Sequence, residues 1–580
     1  MSRSGAIETR HTRFLNAVYA RLARRQAAVR GFVSQPEPRT IGSIARGRQL
    51  IAGNFLFAGY LIDSPNAALW DLPAPNPAFD AERHGFGWLD DLAAVGDMAA
   101  RERGQAWLWG WIAAHGNGQG PGWRPDLVGR RLIRWINHAI FLLRGQDSGA
   151  SDAFFRALAR QTWFLSKRWP GAAPGLRRFE ALTGLIYAGL SLEGTESLAD
   201  PAVRALAREC ERQIDAEGGL PTRNPEELLE VFALLNWAAD ALHHAGRSVA
   251  PAHAAAIRRI APTLRTLRHA DGGLPRFHGG GRGTEGRLEA ALAASHVKPH
   301  HSDGLAMGFA RLSARRTSVI VDAAPPPTGT ASFNAHASAL AFELTSGRRP
   351  LIVNCGSGAS FGADWRRAGR ATPSHSTLCL AGYSSARLAD PDRETGLQAL
   401  VDGPRHVPIE LTEGADGMRF HGGHDGYARH FGLTHVRALD LGIDGRQLTG
   451  EDMLLAMEPG EKRLFDQAMD RSRLVGLDFD IRLHVHPEVD LTLDLGGAAV
   501  SMVLRSGEIW VFRHDGQCGL SLAPSVYLEQ GRLKPRATTQ IVLSGRVTSY
   551  ATRLRWSLSK AHETDDAVRD LARDEVMTAR

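Results

Sequence analysis

A chain of 580 residues that is 43% hydrophobic is long enough for two large domains and ordinary in composition for a globular protein. No run of about 18 apolar residues occurs, so no transmembrane helix is expected, and the N-terminus lacks the apolar core and small-residue cleavage site of a secretory signal. The net charge of +7 is concentrated: residues 1–50 hold ten Arg, no Lys and two Glu, which is +8, leaving about −1 for the rest.

Residues 1–40 therefore read as a basic arm with an amphipathic helix over 14–29. Such an arm either meets acidic lipid, RNA or an acidic glycan, or packs its apolar side on the body. No nucleic-acid-binding motif accompanies it, so no nucleic acid is expected as a partner. The four cysteines (Cys210, Cys355, Cys379 and Cys518) are scattered, with no CxxC pair. They read as free thiols, which fits a reducing compartment.

Residues 41–298 carry apolar residues at helical spacing. The pattern predicts helices over 92–111, 125–143, 151–169, 179–192, 201–214 and 225–244. The last opens with Asn224 as cap, Pro225 in the first turn and two carboxylates behind it. EGGLPTR at 217–223 recurs as DGGLPRF at 271–277, 54 residues later. A helix-pair repeat of that length predicts an α/α toroid or solenoid with its glycine loops at one end, where they line a cleft. GGGRG at 279–283 is a loop in this half, too irregular for a phosphate loop. Trp107, Trp109, Trp111 and Trp123 read as core residues or as platforms for sugar rings.

From about Gly308 the period changes. Short apolar runs such as RTSVIVDA, ASALAFEL, RPLIVN, IRLHVHP and TQIVLSG alternate with Gly, Asp and Ser turns. They predict an antiparallel β-sandwich over 299–561, followed by a charged tail at 562–580. The whole reads as an α+β multidomain protein: an N-terminal α/α toroid, then a C-terminal β-sandwich. Within the sandwich, His336, Asn354 and His375 fall at the ends of successive predicted strands. They read either as a metal site or catalytic cluster, or as hydrogen-bonded polar groups pinning three strands. His300-His301 lacks a spaced third partner.

The segment from FNAH at 333–336 through NCG at 354–356 to HSTL at 375–378 resembles the C-terminal domain of heparinase II/III-type polysaccharide lyases. Further matches are GPGWRPDLVGRRLIRWIN at 120–137, FEALTGLIYAGL at 179–190, the 217–225 loop, HDGY at 424–427 and GED at 450–452. The resemblance implies cleavage of an acidic, uronate-containing polysaccharide by β-elimination. It also implies a structural divalent metal, zinc or calcium, at His336, Asn354 and His375, and work in the periplasm or cell envelope. The lack of an export signal points instead to the cytoplasm.

β-Elimination needs a group to neutralise the uronate carboxylate, a base for the neighbouring proton and an acid for the leaving oxygen. The family supplies these with Asn or His, Tyr and His. Here those positions fall on Leu176-Arg177, Glu227 and Asn334, and the metal Asp falls on Asn354. The resemblance thus assigns carboxylate neutralisation to Arg177, the base to Glu227, substrate hydrogen bonding to Asn334, and the acid to Tyr427 or His424. Glu180, Arg223, Asn224 and Arg370 become substrate-binding residues. A lyase requires Arg177, Glu227 and Asn334 to meet in one basic groove. The alternative is an altered family member that binds or remodels an envelope glycan.

Overall fold

The computed structural model describes residues 9–300, 304–393 and 395–561. The predicted tail at 562–580, residues 1–8 of the arm and His301 lie outside the described residues.

The N-terminal half is helical. The pattern expected over 92–111 is divided by Gly96, whose φ of 69° ends the helix Trp88–Val95, and by Asp97, which caps Met98–His115. The run expected over 125–143 breaks at His138 into Pro125–Asn137 and Ala139–Leu143. Ser148–Arg168, Leu176–Ser191, Ala199–Gln213 and Pro225–His244 follow where periodicity places them. Pro251–Leu267 and the hairpin Asn54–Phe57 with Tyr60–Asp63 were not expected. The arm helix is Arg10–Leu22, earlier and shorter than read. Its buried Ala20 and Asn16 face Ser148–Arg168, where Arg168 Nε donates to Asn16 Oδ1 at 2.8 Å.

One close crossing places the cleft residues. A Cβ on Gly129 would stand 2.3 Å from the Glu180 carbonyl oxygen, and one on Gly184 would stand 2.4 Å from the Gly129 Cα. Glycine at both positions lets the helices Pro125–Asn137 and Leu176–Ser191 touch backbone to backbone. That contact sets Arg130 beside Glu180.

The C-terminal half is two packed antiparallel eight-stranded sheets. One runs Ile409–Gly414, Gly417–His424, Thr434–Gly442, Gln447–Leu455, Ala551–Lys560, Ile509–His514, Ala499–Leu504, Val489–Asp494. The other runs Gly519–Tyr527, Arg536–Val547, Leu477–Val485, Arg349–Val353, Phe342–Ser346, Thr317–Asp322, Phe309–Ala314, with Leu378–Leu380 on Leu477–Val485. Phe342 stacks on Trp556 between the sheets, 5.8 Å between centroids. The expected strand at 337–344 forms only from Phe342; the residues before it are irregular but buried. The four strands between Ile409 and Leu455 and the helix Pro459–Arg471 were missed by the strand reading.

The two repeated glycine loops join the halves. Arg223 (φ 49°) ends the first and donates to the carbonyls of Met307, Gly308, Ala324 and Pro325 and to Asp322 Oδ1 at 2.6 Å. Arg276, in the second, donates to the carbonyls of Asn354, Cys355 and Leu528 and lies 3.8 Å over the Tyr527 ring.

Candidate functional site

The toroid end that faces the sandwich carries a cluster of charged side chains. Arg130 Nε donates to Glu180 Oε1 at 2.6 Å; the second oxygen of Glu180 is buried without a hydrogen-bond partner. Burial raises the Glu180 carboxyl above its usual range, against the pull of Arg130. Asp126 is buried and takes Arg124 Nη2 at 2.6 Å, with Arg177 Nε 3.9 Å away. Burial works to raise Asp126, but Arg124, Arg177 and Arg130 together hold it low. Among these three arginines Arg177 is the most open, its side chain 43% exposed against 30% for Arg130 and 22% for Arg124.

Glu227 sits in the first turn of Pro225–His244, half-buried, against the start of Leu176–Ser191. A Cβ on Gly175, which precedes that helix with φ 86°, would stand 3.6 Å from Glu227 Oε1. Burial raises the Glu227 carboxyl; opposing contributions include the Leu176 N–H and Arg177, while Glu180 adds to the rise. Arg177 and Glu180 thus lie close enough to Glu227 to act on its charge. The cluster is mixed rather than basic: Arg124, Arg130 and Arg177 lie among Asp126, Glu180 and Glu227.

Asn334 stands on the sandwich side, exposed, its Oδ1 accepting from Arg366 Nη2 at 2.9 Å. The Gly279–Gly281 loop of the toroid lies between it and the start of Pro225–His244. A Cβ on Gly279 would meet Asn334 Cβ at 2.9 Å, one on Gly280 would meet Asn224 Oδ1 at 2.4 Å, and Gly281 N donates to Glu226 Oε2 at 2.8 Å. The glycine loop thus separates Asn334 from the helix start that carries Glu226 and Glu227.

Several expected site residues belong to the framework instead. Tyr427 is buried in the sandwich core and donates to the Leu378 carbonyl at 2.9 Å, so it cannot protonate a substrate. His424 is equally buried, 3.2 Å from His435. Arg223 spends its donors on the joint described above. Asn224 caps Pro225–His244, Oδ1 accepting from the N–H groups of Glu226 and Glu227. Arg370 is buried and donates to the carbonyls of Ala335, Gln398 and Ser332. Trp107, Trp111 and Trp123 are core, and Trp109 donates to Gln146.

The expected metal set does not fit a divalent ion. His336 Nε2 accepts the Gly279 N–H at 3.0 Å, which puts its proton on Nδ1, facing His375 Nε2 at 3.0 Å. His375 Nδ1 in turn donates to the Ala371 carbonyl at 2.9 Å. Asn354 Oδ1 accepts from Ser376 N and Nδ2 donates to Glu343 Oε1. Burial drives His336 well down and His375 to about 3, so both rings are neutral near pH 7. Only Asn354 directly follows a strand; His336 and His375 lie in irregular segments.

Arg124, Asp126, Arg130 and Arg366 were missed. The first three stand in the first turns of a helix with a broad apolar face, in the GPGWRPDLVGRR run. Charged residues one turn apart there were a usable signal.

A helical toroid set on an antiparallel sandwich, with charged residues at their junction, defines a polysaccharide-lyase fold. Residues 296–557 match the family model "Heparinase II/III-like, C-terminal". FtsZ-localized protein C of Caulobacter vibrioides is 32% identical over 542 residues, covering 92% of this chain and 90% of that protein. The crystal structure of heparinase III superposes with a TM-score of 0.66 at 13% identity, covering 96% of this chain and 90% of that one. A heparan sulfate lyase HepC mutant from Pedobacter heparinus gives 0.57 at 14% identity, covering 95% and 88%. The chain belongs to the heparinase II/III-like family. Among the described residues no helix is long and apolar enough to cross a membrane.

Proposed function

We propose that the protein cleaves an acidic, uronate-containing glycan of the cell envelope by β-elimination, with a rebuilt set of catalytic groups. The observation that carries this reading is an open guanidinium, Arg177, near a carboxyl raised by burial, Glu227, at two adjoining helix starts, with Asp126 as the carboxylate 3.9 Å from Arg177 Nε. Arg177 pairs with the uronate carboxylate and stabilises the carbanion that forms beside it. Ionised Glu227 takes the proton next to that carboxylate. The electron pair left behind forms the new double bond and expels the glycosidic oxygen, and Glu227 returns the proton to it. Asn334, oriented by Arg366, hydrogen-bonds the sugar from the sandwich side. No step passes through a metal.

The test is ultraviolet absorbance of an unsaturated uronate product with heparan sulfate, chondroitin, alginate and bacterial acidic exopolysaccharides. A rising signal that Arg177→Ala and Glu227→Gln each lower at least about 100-fold supports the reading. A flat signal across the panel, with the same glycans bound, favours the family member that binds without cleaving.

A second reading rests on a separate observation. The relative alike across nearly its whole length is named for FtsZ, and we infer that this chain also works alongside FtsZ at the division site. Co-sedimentation with FtsZ polymers tests this; absence from the polymer pellet contradicts it.

A further inference from the structure

The arm helix Arg10–Leu22 is fixed on one side and open on the other. Its inner face is held by Asn16 bonded to Arg168, by buried Ala20 and by Tyr19 against Trp163, ring centroids 6.1 Å apart. Residues 14, 18 and 22 lie in a stripe on the opposite side at i, i+4, i+8, with Val18 half-buried between the two exposed side chains. Phe14 on that stripe is 65% exposed and Leu22 38%. An amphipathic helix that already buries one face has no folding reason to present a phenylalanine opposite it.

The surroundings are cationic. Arg13, Arg21, Arg24 and Arg25 are exposed around the stripe, and the helix contains no Asp or Glu. On the neighbouring helix Arg160 joins them: Arg24 Nε donates to the Asn117 carbonyl and Arg160 Nη1 to the Asn117 side-chain oxygen at 3.0 Å. Two guanidinium groups thus converge on one residue, with Arg156 one turn from Arg160. Asp152, a turn before Arg156, is the nearest carboxylate along that helix.

We propose that this face docks the protein on an anionic lipid bilayer. The helix lies parallel to the membrane, Phe14 and Leu22 enter the boundary between headgroups and acyl chains, and Arg13, Arg21, Arg24 and Arg25 meet lipid phosphates. Exposed apolar side chains ringed by arginine suit a bilayer better than RNA or a soluble glycan, which offer charge but no apolar phase. The inference is independent of the cleft and of its chemistry.

The experiment is sedimentation of the full chain with vesicles. Binding is expected to phosphatidylcholine containing about one-third phosphatidylglycerol and not to phosphatidylcholine alone. It should fall at least about tenfold when salt is raised to about 0.5 M. Phe14→Ser with Leu22→Ser should weaken it about tenfold or more, and Arg21→Glu with Arg25→Glu should abolish it. These side chains are exposed, so circular dichroism should be unchanged in both variants. No binding to anionic vesicles at low salt overturns the proposal. So does vesicle binding that the Phe14/Leu22 pair does not alter, or equally tight binding to RNA, either of which marks a general polyanion surface.

Discussion

The Glu227 carboxyl keeps its proton to higher pH than an ordinary carboxylate. Burial raises its carboxyl above the usual value of 4.5, so a reaction that uses it as base should switch on with rising pH through that raised value. Glu227→Gln should remove the pH limb along with the activity. Arg223 works differently. Its guanidinium and Asp322 form a buried pair 2.6 Å apart, and Asp322 is held low by Arg223 and His278 against the opposing effect of burial. Arg223→Met would leave the buried Asp322 carboxylate without its guanidinium partner and should cost about 3–5 kcal/mol in denaturant unfolding. A role confined to substrate binding would instead leave stability unchanged. His375 adds a pH dependence of its own. Its folded pKa is depressed from 6.5 to about 3, so the unfolded chain binds the extra proton between those values. Its stabilising contribution is complete above about pH 6.5 and declines by about 1.4 kcal/mol per pH unit as pH falls toward 3. Unfolding midpoints measured across that window should drop, and His375→Gln should flatten the drop. A chelator should leave the midpoint at pH 7 unmoved, since the neutral pair His336–His375 is satisfied by its own hydrogen bonds.

At the scale of elements, the contact between Pro125–Asn137 and Leu176–Ser191 decides whether Arg130 and Glu180 meet. Gly184→Ala would drive a Cβ into the Gly129 backbone and should cost about 1–3 kcal/mol while also lowering glycan cleavage. Loss of activity with unchanged stability would contradict this. Helix placement was largely legible in the sequence because Asn224 and the 3.6-residue apolar period are local signals. Gly96-Asp97 was an equally local stop and start that the apolar period overran. The strands between Ile409 and Leu455 were hidden because Gly422, Gly423 and buried Arg437 and His435 interrupt the alternation that marks a strand. The site was half legible. Arg177 and Glu227 follow from matching positions along the chain, whereas the framework roles of Arg223, Arg370 and Tyr427 depend on carbonyls far away in sequence.

For the molecule as a whole, the glycine loops of the toroid lock the two domains rather than line an open groove, and the cleft residues sit just behind that joint. The sandwich contributes Asn334 and Arg366 from its near side and keeps its histidines inside. The charged side chains at the junction come mainly from the toroid. Elimination and hydrolysis at this cleft leave different products. The decisive measurement is mass spectrometry of oligosaccharides released from a uronate-containing glycan by the full chain. The account predicts fragments whose new non-reducing end is one water lighter than the hydrolysed form, absent with Glu227→Gln. Fragments carrying the added water, or release that Glu227→Gln leaves intact, would contradict it.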